Sequence, residues 1–225
     1  MAEKGRPILS EETHWEKAAK TRMGKYLTKV ETDFVQNAFD FSNLNLIMDV
    51  GAEAGRFSQL KGSAETISID IDKCGLRRLK QKAGNPCTIQ ADARRIPVKD
   101  EAFDAITMIE TLDYIPELDQ AFSEACRTLK PNAGLIVSFG NKSSLKGKLR
   151  QLSGKSYQHA YSDVMGTLTK TGFVVKKKTG YNWLLFDRMS QNQFIPFLTK
   201  IERLIGLRRI PSWSPWVIVL AVKNK

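Results

Sequence analysis

Three acids stand where a carboxylate can do more than solvate a surface: Asp49, Asp70 and Asp92. Asp49 and Asp70 close short apolar runs, and Asp92 follows a third such run by two residues. Gly51 and Gly55 come directly after the first run and flank Glu53. Glycine lets a ligand approach the backbone with no Cβ in the way. A carboxylate accepts from two neighbouring hydroxyls or from an amine. Together these residues suit the grip on a nucleotide-like ligand. Side chains able to take a proton are Glu110, Asp113, Tyr114, His159 and Tyr161, and none is singled out by spacing. Two histidines are too few for a histidine metal site or dyad, and no metal is signalled.

The elements that must position these residues follow from pattern. Leu46–Val50 reads as a strand, Gly51–Gly55 as a turn, and Arg56, Phe57 and Leu60 as the start of a helix. Strand, glycine turn and helix open a nucleotide-binding unit, and the helix start offers free N–H groups to an anion. The dinucleotide fingerprint G-x-G-x-x-G is absent. Thr66–Asp70 reads as the second strand. Its final acid lies 19 residues past Gly51, where such folds bind ribose hydroxyls; Asp72 is the rival. A helix over Lys73–Lys82, a strand over Cys87–Gln90, a strand over Phe103–Ile109, a helix over Glu117–Leu129 and a strand over Leu135–Phe139 complete the pattern. Five strands with intervening helices or crossovers predict a parallel sheet with right-handed connections. Residues 10–40 read as helical, with Ser10, Glu12 and Thr13 at the cap and Gly24 as a bend.

In order, the chain presents Asp49-x-Gly51-x-Glu53-x-Gly55, Asp70 at a strand end, Asp92 before Ile96-Pro97, Phe103-Asp104 opening a strand, and Lys130-Pro131-Asn132-Ala133-Gly134. This series resembles class I S-adenosylmethionine-dependent methyltransferases of the type 11 and quinone-methyltransferase kind. Glu53 departs from the middle glycine the family often has, and Asn132 and Ala133 replace glycines of its turn. The resemblance implies a Rossmann-like α/β fold with a seven-stranded mixed sheet, strand order 3-2-1-4-5-7-6 and the last strand antiparallel. Phe173–Thr179 then fits the sixth strand, Trp216–Val222 the seventh, and Ser162–Thr171 the helix between, ended by Gly172. It implies S-adenosyl-L-methionine as cofactor, held by Asp49, Gly51, Glu53, Gly55, Asp70, Ile71, Asp92, Ala93, Ile109 and Glu110. Asp92 would accept from the adenine amine; the plain reading is an Asx turn. The helices at 10–40 resemble the family's cap over the cofactor, with Trp15 and Tyr26 as contacts.

The 225 residues suffice for one domain, read here as 1–225 with the cap at 10–40 and an insertion or lid at 180–215. Met1–Arg6 carries no apolar signal core and no run reaches membrane-spanning length, which predicts a cytoplasmic chain. Cys74, Cys87 and Cys126 show neither C-x-x-C nor an even set, and read as buried reduced thiols. The net charge of +11 sits in the last third: residues 1–140 hold 19 Lys and Arg against 21 Asp and Glu, residues 141–225 hold 16 against 3. That asymmetry suits an anionic partner, a nucleic acid or a membrane surface, or a solvated basic face. Residues 140–160 read as mobile. In the insertion, Phe194, Phe197, Leu198, Ile201, Leu204 and Ile205 form an apolar face beside Lys200, Arg203, Arg208 and Arg209.

The reading is therefore a methyltransferase acting on a small-molecule or lipid-like acceptor, with Trp183, Leu184, Leu185 and Phe186 near the acceptor and Arg208 and Arg209 for a carboxylate or phosphate. An RNA or protein methyltransferase docking through the basic third is the first alternative. Glu110-Thr111-Leu112-Asp113 stands where base methylases carry an N-P-P-Y-type tetrad, which counts against amino methylation of bases. A cofactor-binding partner subunit without catalysis is the second.

Overall fold

The computed structural model describes residues 12–57, 64–83, 86–152, 154 and 158–224. Its centre is a seven-stranded sheet in the order β3-β2-β1-β4-β5-β7-β6. The strands are β1 (Leu46–Val50), β2 (Glu65–Asp70), β3 (Cys87–Gln90), β4 (Phe103–Met108), β5 (Leu129–Gly140), β6 (Phe173–Tyr181) and β7 (Trp216–Lys223). β1 to β5 pair in parallel, and β7 runs antiparallel to both β5 and β6. This is the order and sense the resemblance implied.

Side-chain alternation splits the core across the sheet. Leu135, Val137 and Phe139 enter one apolar cluster, with Phe122 and Ala125 of α4 (Leu118–Thr128). Ile136, Ile218 and Trp216 enter the other. Met23, Leu27, Val30 and Phe34 of α2 (Arg22–Gln36) recur every three or four residues and cover that second face. A residue such as Phe122 or Phe139, fully buried, contributes about 1.5–3 kcal/mol by leaving water.

The N-terminal helical stretch breaks at Thr21. α1 (His14–Lys20) is capped by Thr13, whose Oγ accepts from Glu16 N while Glu16 accepts from Thr13 N. Ser10 lies outside the described residues. Thr21 is extended and caps α2 by accepting from Gly24 N at 2.9 Å. Gly24 is not itself the bend. It lets α2 sit on the end of α1, where a Cβ would lie 1.8 Å from the Ala18 carbonyl.

Three further expectations are corrected. Within residues 140–160, which read as mobile, the described residues include the helix α5 (Leu145–Leu152). Its start is fixed by Ser144, whose Oγ accepts from Gly147 N, and by Asn141, whose amide donates to Ser212 O and Ser214 O. The helix of the insertion, α7 (Ile195–Leu204), turns Ile195 and Glu202 inward. Glu202 accepts from Tyr26 on α2, and Tyr26 lines neither of the two cavities described below. Phe194, Phe197, Leu204 and Ile205 face solvent instead. Cys74 and Cys87 are exposed, one in the first turn of α3 (Lys73–Lys82) and one at the start of an edge strand; Cys126 is half-buried. α6 (Tyr161–Lys170) ends before Gly172, whose φ of +92° permits the turn into β6. No helix among the described residues is long and apolar enough to cross a membrane.

Candidate active site

A cavity of about 420 Å³ opens where β1, β2, β3 and β4 end. The glycine turn builds its floor. Gly51 leaves β1 at φ +73°, and a Cβ there would lie 2.2 Å from Thr111 Oγ. Thr111 Oγ donates to Val50 O at 2.9 Å, and Gly51 N and Ala52 N donate to Ile69 O. Glycine is therefore required at 51 by both conformation and space. Gly55, at φ +85°, does not reach the cavity; it turns the chain against Leu79 of α3. Arg56 and Phe57 lie in the turn itself, and Leu60 is outside the described residues.

The acids divide into distinct roles. Asp70 accepts from Glu53 N at 2.7 Å and from Asp72 N at 2.8 Å, one on each oxygen. It thus pins the glycine turn to its own loop and keeps lone pairs towards the cavity. Asp72 is spent as the cap of α3, accepting from Cys74 N and Gly75 N. Asp49 is buried beneath the turn and accepts from Thr107 Oγ at 2.7 Å. Glu53 sits at φ +45° and lines the cavity, its carboxylate accepting from Ala54 N. Asp92 and Ala93 line the far side. Arg94, which sequence reasoning missed, clamps both Asp92 oxygens and holds its carboxyl below the usual carboxylate range. Ile71 and Tyr114, each 67% exposed, are large apolar surfaces left bare at the cavity wall.

Glu110 ends the β4 segment at φ +58°, its N–H donating to Ser138 Oγ. Its Oε2 takes Arg56 Nη2 at 2.6 Å and its Oε1 takes Arg188. Arg56 continues to Glu31 at 3.5 Å, and Glu31 accepts from Tyr181 at 2.6 Å. Two acids and two guanidiniums thus form one buried chain from α2 to the insertion. Arg188 lies between the rings of Trp15 and Trp216 at 4.9 and 5.6 Å, and burial pulls it down to about 10. Ile109 and Glu110 both line the cavity, as does Trp15.

The remaining proton-taking candidates separate. Tyr114 lines the cavity. Asp113 points away, accepting from Gly140 N and Gln158 N, and burial raises its carboxyl. His159 is buried with Nε2 3.1 Å from Leu112 O and 2.8 Å from Ile115 O. Two carbonyl oxygens only accept, so Nε2 carries the proton and His159 braces the turn around Tyr114. Tyr161 meets Lys178 of β6, remote from the cavity.

A second cavity of about 450 Å³ adjoins the first, and Trp15 lines both. α5 contributes Lys146, Leu149 and Arg150; the insertion contributes Leu185, Phe186 and Arg188. Arg208, expected at a ligand, instead approaches buried Glu202, and Arg209 is exposed; neither lines either of these two cavities.

Residues 48–137 match the family described as a methyltransferase domain. A ubiquinone/menaquinone biosynthesis C-methyltransferase of Pseudomonas putida is 31% identical over 135 residues, covering 55% of this chain and 52% of that protein. A malonyl-[acyl-carrier protein] O-methyltransferase of Methylococcus capsulatus is 31% identical over 126 residues, covering 52% and 46%. The chain spans about half the length of the curated relatives it matches. In fold it is similar to the N-methyltransferase NodS of Bradyrhizobium japonicum, solved with S-adenosyl-l-homocysteine, at TM-score 0.66 and 11% identity over 95% of this chain and 94% of that one. A putative sarcosine dimethylglycine methyltransferase from Galdieria sulphuraria gives TM-score 0.66 and 14% identity over 89% and 86%.

Proposed function

We propose that this chain, a member of the class I S-adenosylmethionine-dependent methyltransferases, transfers the sulfonium methyl group to a small-molecule or lipid-like acceptor. The observation that carries this reading is the pair of adjoining cavities meeting at Trp15, one lined by acids at strand ends and the other by cations and apolar side chains.

The side chains of the first cavity fit the cofactor. Asp70 keeps lone pairs for the ribose hydroxyls, and Asp92 with Ala93 faces the adenine position. Ile71 and Tyr114 offer apolar surface to a flat ring. The Gly51 turn, which a Cβ would obstruct, brings backbone to the amino-acid portion, with Glu53 placed to meet its ammonium. When bound, the cofactor supplies an electrophilic methyl on sulfur. What the chain does is align donor and acceptor and keep water out. Glu110 has both oxygens taken by guanidinium groups, so it positions the wall between the cavities rather than accepting a proton. Tyr114 lines the first cavity and not the second, so its exposed ring serves the cofactor side. Asn182 and Leu185–Arg188 wall the second cavity, and the segment is tied to the start of α2 by Thr21 Oγ donating to Arg188 O and Met23 N donating to Ser190 O, as an acceptor-side lid would be.

Calorimetry with S-adenosylhomocysteine and with NAD tests the cofactor half. Micromolar-range binding of the first and none of the second is expected; the reverse would overturn the reading. Incubation of the protein with labelled cofactor and fractionated small-molecule and lipid extracts tests the acceptor half. Label appearing only in RNA or protein would refute the acceptor class.

A further inference from the structure

We infer that the second cavity binds an anionic amphiphile, with its charged head at Arg188, Lys146 and Arg150 and its apolar chain leaving past Leu149 and Leu185. The inference rests on the methyltransferase reading only in taking that amphiphile as the acceptor.

The head site is lined by three cations, Lys146, Arg150 and Arg188, and one carboxylate, Asp187. The Arg188 side chain is 12% exposed. It meets Glu110 through one terminal nitrogen, while Nη1 has no hydrogen-bond partner among the described residues. Lys146 spends its donors on neutral oxygens: Asn182 Oδ1 at 2.8 Å, Leu184 O at 2.6 Å and Phe186 O at 3.2 Å. These contacts are neutral, and Asp187 and Glu202 act on its charge through space. Arg150 stands in the same wall. The lining of this cavity is thus net positive, and an incoming carboxylate or phosphate can accept charge-assisted hydrogen bonds there at two or three points together.

The chain site lies at the mouth. Leu149 and Leu185, 47% and 75% exposed, line the cavity. Leu145 and Leu152, 72% and 86% exposed, extend the Leu149 stripe along α5 at spacings of four and three. Leucines so exposed and aligned make a path for an acyl chain, and exposed Lys142 and Lys148 flank it. An acid with a short body would leave that path bare, and an apolar alcohol would leave the excess positive charge of the lining unmatched.

The shared chemistry is a single anionic head on an alkyl chain, whether as a free acid or as a bilayer lipid. Calorimetry on the full chain with dodecanoate, dodecyl phosphate, dodecanol and acetate tests it. Dodecanoate or dodecyl phosphate should bind at least about tenfold tighter than either dodecanol or acetate. Flotation with phosphatidylglycerol vesicles separates the sources: binding there points to a bilayer lipid, and binding only to dispersed dodecanoate to a free acid. The exposed double variant Leu149→Glu/Leu185→Glu should weaken dodecanoate by about tenfold or more and leave S-adenosylhomocysteine affinity unchanged. Arg188→Met should abolish the preference for dodecanoate over dodecanol. Equal binding of dodecanoate and acetate, equal binding of dodecanoate and dodecanol, or indifference to the leucine variant would each overturn the inference. Loss of dodecanoate binding with S-adenosylhomocysteine still bound strikes this site alone. Absence of S-adenosylhomocysteine binding strikes the methyltransferase reading, and the dodecanoate result then stands on its own.

Discussion

Replacing Glu110 by Gln removes the central anion of the buried chain that links α2, the glycine turn and the insertion. The side chains concerned are shielded: Glu110 is 4% exposed, Arg188 12% and Arg56 18%. In the native chain two carboxylates balance two guanidiniums. After the change Arg56 still has Glu31 at 3.5 Å, but Arg188 loses its anionic contact. Removing one partner of a buried pair costs about 3–5 kcal/mol, because the remaining charge stays desolvated. For a chain of this length each kcal/mol moves Tm by about 2–4 °C, so a fall of roughly 6–20 °C is expected. Arg188→Met should cost less, since Glu110 keeps Arg56 at 2.6 Å. The double variant places no unpaired charge between Trp15 and Trp216, and it should be more stable than the sum of the single losses by about 1–3 kcal/mol. Urea denaturation of the four proteins closes the cycle. Additivity within about 0.5 kcal/mol would refute direct coupling across the wall of the two cavities.

Asp70→Ala should weaken S-adenosylhomocysteine binding by about 1.5–3 kcal/mol in calorimetry, the loss of bonds to a charged acceptor. Unchanged affinity would take Asp70 out of the ribose role and leave it only the backbone bonds to Glu53 and Asp72. Glu53→Gly should leave binding equal or slightly weaker and raise stability by up to about 1 kcal/mol, because residue 53 sits at φ +45°; a large gain in affinity would mean that the carboxylate repels the cofactor. Burial first, then Arg150, pulls the Lys146 ammonium from 10.5 down to about 8. The unfolded chain therefore holds this proton more tightly. The cost is borne in full below about pH 8 and is relieved as pH rises towards 10.5. Urea titrations of wild type and Lys146→Met across that window should show a stability difference that shrinks with rising pH on the wild-type side, and a constant difference would refute the depressed value.

Local chemistry made much of the sheet and one side of the site readable. Short apolar runs ending in acids give β1 and β2, and their order with Gly51, Asp70 and Asp92 carries the family resemblance. A strand-end acid is tied to its own turn over a few residues, so spacing alone can place it. The covering of α7 could not be read from its pattern, for a different reason. Amphipathicity says which side of a helix is apolar, not which side is covered. In α7 the inward positions hold Ile195 and the Tyr26-bonded Glu202, and the longer apolar side is left in water.

The wall between the cavities was illegible because its partners are far apart in the chain. Glu31, Arg56, Glu110 and Arg188 come from four elements, and no local pattern pairs them. One clue was present. Glu31 falls four residues after Leu27 and three before Phe34, on the core stripe of α2, where a lone carboxylate demands a buried partner. The same distance problem scattered the proton-taking candidates. Residue type cannot distinguish a group that faces the cavity from one that holds its neighbour there. Asp113 fastens the turn to Gly140 and Gln158, and His159 grips it at Leu112 and Ile115. Between those grips stands Tyr114, the member of the trio that lines the cavity. Loss of the imidazole should therefore act through the placement of the Tyr114 ring. His159→Gln, whose amide can still donate to these carbonyls, should retain more S-adenosylhomocysteine affinity than His159→Ala, and equal losses would refute the bracing role.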